Sequence, residues 1–422
     1  MDSAEREGLR PKGNVPNLRF PEFQGEWEKC RLGDVCTFLS GGTPKIDVKE
    51  YWNGTIPFVS AISMHDTYIL DSKLHISEEG LKHGSRLLTK NNLLLLVRGS
   101  MLWNTIPICL NKNDVAFNQD VKGIIANDTI NNEFLLYWLK SKEQRLKYMV
   151  TGTGLGAGKL DTSDLLSMII YIPAMKEQDK VARLLSLFDE RIATQNKIIE
   201  DLKKLKSAIV EKVFCSPNQE YPMCRIEGFE QSLSTYKMSD FSSRIATKNK
   251  DSKCSLVLTI AAQYGLVNQE SFFNKSVASE NLTGYYLLHK GEFAYNRSYS
   301  AGYDWGTVKR LDNYDEGVLS TLYICFKINE TIVDSDYLAY YFESSKWHKC
   351  LSDIAGEGAR NHGLLNVSMT DYFNTKHRFP VIEEQKAIAK MLNTIAEKEK
   401  KATLLGECYQ KQKQYLLCQM FT

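Results

Sequence analysis

Hydrophobic residues recur at alternating steps of three and four along the segment that begins at Pro173. The residues on this seam are Leu185, Phe188, Ile192, Ile199, Leu202, Ile209 and Val213. Polar Gln195 and Lys206 interrupt it. Such heptad spacing predicts a long amphipathic helix whose apolar seam packs against another helix.

A second segment, beginning at Pro380, repeats the first without a gap. Both segments start after a Pro that the first helical turn tolerates, lack an internal Pro and carry acidic residues early, where the helix dipole favours them. Matched positions include Glu177 with Glu384, Gln178 with Gln385, Ala182 with Ala389, Leu185 with Leu392, Lys204 with Lys411 and Phe214 with Phe421. The second seam is weaker, with Glu399, Gly406 and Lys413 inside it. Two ordinary amphipathic helices on unrelated cores would also fit one such pattern. Because the pattern is repeated, we favour two helices that bury each other.

The segments before the two helices also correspond. RFPEFQGEWEKCRLGDV from Arg19 aligns with RIEGFEQSLSTYKMSDF from Arg225, and FLLYWLK from Phe134 resembles YLAYYFE from Tyr337. A whole unit, helix included, is therefore duplicated. In each copy, short apolar runs typical of strands alternate with helical patterns.

The predicted fold is thus α+β (mixed), with two pseudo-symmetric α/β domains and two long helices. A length of 422 residues agrees with two domains rather than one. We place an N-terminal extension at 1–18, the first domain at 19–172, a central helix at 173–214, the second domain at 215–379 and a C-terminal helix at 380–422.

Composition excludes several classes of protein. No window approaches the ~18 continuous apolar residues of a membrane span, and the charged N-terminus lacks the apolar core of a signal peptide. We therefore expect a cytoplasmic protein without membrane contact. The ten cysteines contain no CxxC pair, which argues against a zinc site or a disulfide framework. A net charge of +2 is low for an autonomous DNA-binding domain, so any DNA binding must use local patches or a partner's charge.

Polar groups interrupt the strands of the first domain at four places. The Gly-rich SGGTPK turn offers backbone N–H groups and a cation to a phosphate, although a plain connecting turn fits equally well. An Arg at a strand end can bind guanine or phosphate, and neighbouring amides can pair with adenine; a salt bridge and a turn cap are the alternatives. The candidate DNA-binding residues are Ser40, Gly41, Gly42, Thr43, Lys45, Arg98, Ser100, Asn118, Gln119 and Lys159.

The second domain offers a different set. SSRIATKNKD is its most basic loop, YNRS ends an apolar strand, and GEGARNHG combines glycines with a cation, an amide and an imidazole. The candidates are Arg244, Lys248, Asn249, Lys250, Asn296, Arg297, Arg360, Asn361 and His362.

The sequence departs at specific positions from the motifs of catalytic and nucleotide-binding sites. TGTGLGAGK from Thr151 lacks the first Gly and the final Ser or Thr of a phosphate-binding loop, and Ala157 stands where a dinucleotide fingerprint needs Gly. The sequence also contains no GxSxG, no HExxH and no motif of an amino-methyltransferase. We therefore predict no catalytic residues and no metal site.

The duplicated plan resembles the specificity subunit of type I restriction–modification systems. The resemblance covers essentially the whole chain, and its most specific parts are NLRFPEFQGEWEKCRLGDVCTFLSGGTPK, YWNGTIPFVS, the RGS and FNQD segments, and IPAMKEQDKVARLLSLFDERI. The second half departs from this pattern, since it has no Trp matching Trp27 and no GGTP.

The resemblance implies a non-catalytic DNA reader. Two target-recognition domains would each contact one half of a bipartite double-stranded DNA site, and two antiparallel coiled-coil helices would set the spacer. It also implies two DNA adenine methyltransferase (modification) subunits and restriction or translocase subunits as partners. The chain itself would bind no cofactor, with S-adenosylmethionine, ATP and Mg²⁺ expected in the partners. The alternative is a coiled-coil scaffold that binds proteins without reading DNA.

The repeated Glu-Gln pair at the start of each helix suggests equivalent docking of two identical partners. The residues of this predicted partner site are Glu177, Gln178, Glu384 and Gln385.

Overall fold

The chain is described from a computed structural model that covers residues 14–154, 156–275, 281–298, 302–354, 365 and 367–421. It divides into two units. Unit 1 comprises Met1–Lys197 and Thr403–Thr422, and unit 2 comprises Ile198–Ala402. The division crosses both long helices, so each unit contains the beginning of one long helix and the end of the other.

Short strands make up most of the α/β part of unit 1. These are β1 (Glu28–Arg31), β2 (Cys36–Ser40), β3 (Ile56–Val59), β4 (Tyr68–Ile69), β5 (Leu74–Ile76), β6 (Leu87–Leu88), β7 (Leu93–Leu96), β8 (Arg98–Gly99), β9 (Ile108–Asn111), β10 (Val115–Phe117), β11 (Val121–Ala126), β12 (Thr151–Gly152), β13 (Gly158–Lys159) and β14 (Ile169–Ile172). The helices are α1 (Leu32–Val35), α2 (Glu78–Gly84), α3 (Asn132–Ser141), α4 (Glu143–Tyr148) and α5 (Thr162–Ser167). The first long helix, α6, spans Met175–Val213.

The main sheet of unit 1 has the order β2-β11-β7-β9-β4. All four residues of β7 are buried, as expected of a central strand covered on both faces. Three smaller sheets have the orders β5-β3-β10-β6, β12-β13-β8 and β1-β14. The consecutive residues 134–139 of α3 are all buried, so this helix is enclosed on every side by the core.

Unit 2 repeats this plan with fewer strands in the described ranges. Its strands are β15 (Ser234–Lys237), β16 (Ser242–Arg244), β17 (Leu258–Ala261), β18 (Gly265–Asn268), β19 (Tyr286–His289), β20 (Phe293–Asn296), β21 (Thr307–Arg310), β22 (Glu316–Leu319), β23 (Ile324–Ile328) and β24 (Lys376–Phe379). Its helices are α7 (Met238–Phe241), α8 (Gln269–Phe273), α9 (Ser335–Tyr341), α10 (His348–Ser352) and α11 (Met369–Asn374), followed by the second long helix, α12 (Ile382–Gln419). The sheet order β16-β23-β20-β21 corresponds to β2-β11-β7-β9 of unit 1.

Two helical segments of the α/β domains are interrupted. The segment from Asn131 divides into α3 and α4 at Lys142. In unit 2 the chain turns after α9, where the backbone N–H and the hydroxyl of Ser345 both donate to the carboxylate of Glu211, at 2.6 Å each. A contact with α6, which is distant in sequence, thus holds the turn between α9 and α10, and the local pattern of residues 335–352 does not reveal it.

The two long helices complete the cores of both units. α6 has 39 residues and α12 has 38, which corresponds to about 58 Å each at 1.5 Å per residue. Within unit 1 they run antiparallel, because Asp189 contacts Lys413 whereas the later Arg191 lies over the ring of the earlier Tyr409. The predicted α+β fold with two long helices is confirmed.

Each long helix is followed, within two residues, by a Phe in an aromatic contact. Phe421 lies 5.3 Å from the ring of Phe134 on α3 in unit 1, and Phe214 lies 5.0 Å from the ring of Tyr337 on α9 in unit 2. Each Phe therefore packs on the domain of the other repeat rather than on its own.

Candidate nucleic-acid interface

Two loops that are far apart in the sequence lie against each other in unit 1. The hydroxyl of Thr43 donates to the Oε1 of Gln119 at 2.7 Å, and the ammonium of Lys122 donates to the hydroxyl of Ser40 at 2.6 Å. The FNQD turn also bonds internally, since the Oδ1 of Asn118 accepts the backbone N–H of Asp120. The SGGTPK and FNQD candidates thus form one polar surface.

The glycines of this surface serve backbone packing. A Cβ on Gly41 would lie 2.2 Å from the carbonyl oxygen of Phe117, and one on Gly42 would lie 2.4 Å from that of Gly84. The N–H of Gly42 already donates to the carbonyl of Phe117 at 3.0 Å. The prediction that Gly42 offers its N–H to a phosphate is therefore corrected, because that donor is used inside the unit.

The RGS and GK segments adjoin this polar surface. Arg98 and Lys159 are paired neighbours on antiparallel strands β8 and β13. The carbonyl of Asp120 accepts the backbone N–H groups of Val97 and Arg98, at 2.8 and 3.3 Å, and so joins these strands to the FNQD turn. We call the exposed side chains of this region reading surface 1; its members are Ser40, Thr43, Lys45, Arg98, Ser100 and Gln119.

Lys159 is less available than Arg98. Its ammonium pairs with Asp161 at 3.1 Å. Hydrogen bonds from Ser163, together with this ion pair, lower the pKa of Asp161 to about 2. Arg98 is thus the better candidate for a new charged partner.

In unit 2 the basic loop gathers around one tyrosine. Arg244 donates to the hydroxyl of Tyr286 at 2.9 Å, and the ammonium of Lys248 lies 3.9 Å from the centre of the same ring. Lys250 is exposed. Two cations and an aromatic ring are a combination that contacts both phosphates and bases.

Other candidates of unit 2 hold the fold together. Asn249 is 1% exposed, and its amide donates to the carbonyl and accepts the N–H of Cys254. Arg297 donates to the carbonyls of Val367 and Leu322, at 3.3 and 3.2 Å. Their predicted DNA contacts are corrected, since the amide of Asn249 and the two terminal nitrogens of the Arg297 guanidinium already have partners in the unit. Asn296 caps a turn through the N–H of Ser298. Arg360, Asn361 and His362 lie outside the described residues.

The Glu-Gln pairs are internal anchors. Glu177 is 1% exposed and accepts two hydrogen bonds from Arg19, at 2.7 and 2.8 Å; Glu384 is equally buried and accepts two from Arg225, at 2.8 and 2.7 Å. These bonds raise the pKa of both arginines. The first anchor has one more donor, because the indole N–H of Trp27 also contacts Glu177 at 3.3 Å.

The two glutamines cap the entry to a neighbouring helix. Gln178 accepts the N–H of Asn131 and donates to the carbonyls of Thr129 and Pro173. Gln385 makes the same three bonds, to the N–H of Asp334 and the carbonyls of Ile332 and Pro380. The predicted partner site at Glu177, Gln178, Glu384 and Gln385 is wrong, because all four side chains are buried and bonded inside their own units.

Arg19 and Arg225 match in the repeat, but the sequence did not indicate that they bond to the glutamates. The available signal was the coincidence of a repeated Arg with a repeated Glu. Among the described residues, no three His, Cys, Asp or Glu side chains gather into a metal site. In the same part of the chain, no helix is both long and apolar enough to cross a bilayer.

Comparison with known proteins finds similarity to type I restriction–modification specificity subunits. Residues 24–204 match the sequence model of the type I restriction modification DNA specificity domain. The chain is 31% identical over 189 residues to the type I restriction enzyme EcoR124I/EcoR124II specificity subunit of Escherichia coli, which covers 44% of this chain and 46% of that protein. It is 32% identical over 197 residues to the MjaVIII specificity subunit of Methanocaldococcus jannaschii, covering 47% of this chain and 43% of that one. In these alignments the chain spans a little under half the length of its relatives.

The similarity in fold covers more of the chain than the similarity in sequence. The crystal structure of the type I restriction-modification S subunit from M. genitalium superposes with a TM-score of 0.56 at 16% identity, covering 97% of this chain and 99% of that one. The resemblance seen in the sequence is thus confirmed. Residues 24–204 match the DNA specificity domain of type I restriction–modification systems, and the similarity to the fold of an S subunit extends over 97% of the chain.

Proposed function

We propose that this chain is the non-catalytic DNA sequence-recognition subunit of a type I restriction–modification complex. Each α/β domain reads one half of a bipartite double-stranded DNA site, and α6 and α12 set the distance between the halves. The observation that carries the proposal is reading surface 1. Segments from three parts of the sequence converge there and expose an Arg, a Lys, an amide and three hydroxyls, the groups that bond to base edges and phosphates.

The near-neutral charge of the chain is consistent with partner subunits that supply most of the phosphate contacts. Phosphate contacts supply most of the sequence-independent affinity for DNA, and they require many cations. A chain with a net charge of +2 supplies few of them, so we assign much of that affinity to the partners. The partners are two DNA adenine methyltransferase subunits and restriction subunits, and they bind the S-adenosylmethionine, ATP and Mg²⁺.

Exposed apolar residues on the long helices give the modification subunits a surface to bind. Ile198 of α6 and Leu405 of α12 occupy equivalent positions of the repeat and are 44% and 43% exposed. Leu205 lies seven residues, about two helical turns, after Ile198 and is 49% exposed, so the two share a helix face. These positions replace the buried Glu-Gln pairs as the proposed contacts, with one modification subunit on each helix.

The test is methylome sequencing of cells that carry this chain with its modification subunits. We expect a bipartite methylated motif, and Arg98→Ala should relax or remove recognition in one half of the motif and leave the other half unchanged. A lost base contact reduces discrimination by about 1–3 kcal/mol, roughly 5- to 150-fold. The matched control is Arg31→Ala, which removes an exposed arginine from β1.

Methylation without a sequence preference would overturn the proposal and favour the protein-binding scaffold. A motif in which Arg98→Ala alters both halves would contradict the assignment of one half to each domain.

A further inference from the structure

The two lysines that interrupt the helical seams make the same contact in the two units. Lys413 of α12 lies 5.4 Å from the ring centre of Tyr137 on α3, and Lys206 of α6 lies 5.4 Å from the ring centre of Tyr340 on α9. Both lysines and both tyrosines are equivalent in the repeat. Each α/β domain therefore meets the end of a long helix through a tyrosine and a lysine.

In unit 1 the acidic residue beside this lysine and tyrosine belongs to a long helix. Asp189 of α6 forms an ion pair with Lys413 and accepts a hydrogen bond from the hydroxyl of Tyr137 at 2.7 Å. The side chains of Asp189 and Lys413 are each 13% exposed, so the pair is largely shielded from water. We call Asp189 and Lys413 helix site 1.

The domain brings a cation to helix site 1. Lys140 follows Tyr137 by three residues on α3, and its ammonium donates to the hydroxyl of Thr67 at 2.7 Å. Burial and, next, the charge of Lys413 lower the pKa of Lys140 to about 8, whereas Asp189 acts in the opposite direction. Lys140, Asp189 and Lys413 line the same cavity of unit 1, so Asp189 compensates part of the charge of both lysines.

In unit 2 the domain supplies the acid. Glu343 occupies in unit 2 the position of Lys140 and pairs with Lys206 at 3.2 Å. On α12, the position equivalent to Asp189 is Ala396. We call Lys206 and Ala396 helix site 2; it presents a cation, and its position equivalent to Asp189 carries no charge.

We propose that these opposite charge patterns make the two α/β domains non-interchangeable: helix site 1 accepts a domain with a cation at the Lys140 position, and helix site 2 accepts a domain with an acid at the Glu343 position. The first domain placed on helix site 2 would bring Lys140 to Lys206 with no acid at residue 396. The second domain placed on helix site 1 would bring Glu343 close to Asp189, with Lys413 as the cation between the two carboxylates. Like charges held together in a partly buried contact destabilise it. This inference goes beyond DNA reading, since it concerns which domain each position of the chain can hold.

The first test reverses the charges in the full-length chain. Glu343→Lys places two cations at helix site 2, and we expect the unfolding midpoint of unit 2 to fall by several degrees, on the order of 2–4 °C for each kcal/mol lost. Adding Lys206→Glu restores the pair in reverse and should recover most of the loss. Hydrogen–deuterium exchange of the peptides of α9 assigns the change to unit 2. Glu343→Gln, which removes the charge without reversing it, should have a smaller effect. A double variant no more stable than Glu343→Lys alone would overturn the proposal.

The second test exchanges the domains. A chain with residues 19–172 and 225–379 exchanged should unfold at a lower temperature than the native chain, and moving the acid as well, by Asp189→Ala with Ala396→Asp, should raise the midpoint again. An exchanged chain as stable as the native one would contradict the proposal, and so would one that gains nothing from the moved acid. If the exchanged chain does not fold in either form, the charge-reversal pair in the native chain decides.

Discussion

The two units attach to the long helices by the same bonds and differ in their polar surfaces. Arg19 with Glu177 in unit 1 corresponds to Arg225 with Glu384 in unit 2, and Gln178 and Gln385 cap equivalent helices through the same three bonds. In contrast, the Thr43 and Gln119 contact of unit 1 gives way in unit 2 to two cations around Tyr286. The comparison separates two groups of residues: those that repeat hold each domain on the helices, and those that do not repeat are the ones to which the proposed function assigns the reading of different DNA sequences.

Removing the glutamate of an anchor should cause the largest loss of stability. It tests whether the repeated residues hold each domain on the helices. Glu177→Ala removes the carboxylate that accepts from the guanidinium of Arg19 and the indole of Trp27, in a site where Glu177 is 1% exposed. Breaking a buried ion pair by removing one partner costs about 3–5 kcal/mol. We expect a loss of that size in the free energy of unfolding of unit 1, measured by urea denaturation with hydrogen exchange to locate the change.

Glu384→Ala is the matched variant in unit 2. Leu233 stands there in the place of Trp27, so one hydrogen bond fewer is lost, and we expect a loss smaller by about 1 kcal/mol. If both variants lowered stability by less than 1 kcal/mol, the anchors would not be what holds the domains on the helices.

The terminal phenylalanines of the long helices give the next effect. Phe214 contacts the rings of both Tyr337 and Tyr341, at 5.0 and 5.7 Å, whereas the ring of Phe421 contacts that of Phe134 at 5.3 Å. Replacing a buried Phe by Ala costs about 3–5 kcal/mol, and an aromatic pair adds roughly 0.5–1.5 kcal/mol. We therefore expect Phe214→Ala to lower the stability of unit 2 by about 1 kcal/mol more than Phe421→Ala lowers that of unit 1. Thermal unfolding of both variants measures this difference, and the reverse order would contradict it.

Local patterns predicted the long helices and the duplicated plan because a heptad seam and a repeat are visible in neighbouring residues. They did not predict the anchors. Glu177 and Gln178 sit among polar residues and read as an exposed helix start, whereas their burial depends on Arg19 and Asn131, which are distant in the sequence. Lys206 and Lys413 likewise read as interruptions of the seam, although each contacts a tyrosine of a domain. The convergence that forms reading surface 1 depends on strand pairing between β8 and β13, which single-residue preferences do not encode.

A buried histidine distinguishes the units in their response to pH. His377 is 2% exposed, bonds to Tyr341 and Thr375, and has its pKa lowered by burial to about 3. Its equivalent in unit 1 is Ile170. Between pH 6.5 and 3 the unfolded chain binds a proton at this histidine that the folded chain does not, so stability falls as the pH is lowered.

At pH 5 this histidine should cost unit 2 about 2 kcal/mol relative to pH 7.5, from 1.36 kcal/mol for each pH unit below 6.5. Urea denaturation at the two pH values, with hydrogen exchange to follow each unit, measures this loss. His377→Ile, which copies unit 1, should be less stable at pH 7.5 because Tyr341 and Thr375 lose a partner, but should lose about 2 kcal/mol less on acidification. If the stability of this variant depended on pH as that of the native chain does, His377 would not be the cause of the loss on acidification.

The smallest expected effect concerns the helix caps held by the repeated glutamines. Asn131 accepts the N–H of Phe134 at the start of α3, and Asp334 accepts that of Tyr337 at the start of α9. Replacing either cap by Ala should cost about 1 kcal/mol, whereas Asp334→Asn, which copies unit 1, should change stability by only a few tenths, since Asn and Asp cap equally well. Asn131 also donates to Asp179 at 2.9 Å, so Asn131→Ala should be slightly the more costly of the two. Denaturation midpoints of the three variants test this order. A loss in Asp334→Asn as large as in Asp334→Ala would mean that the charge of Asp334, rather than its hydrogen bond, starts α9, and the two units would then differ even in their anchors.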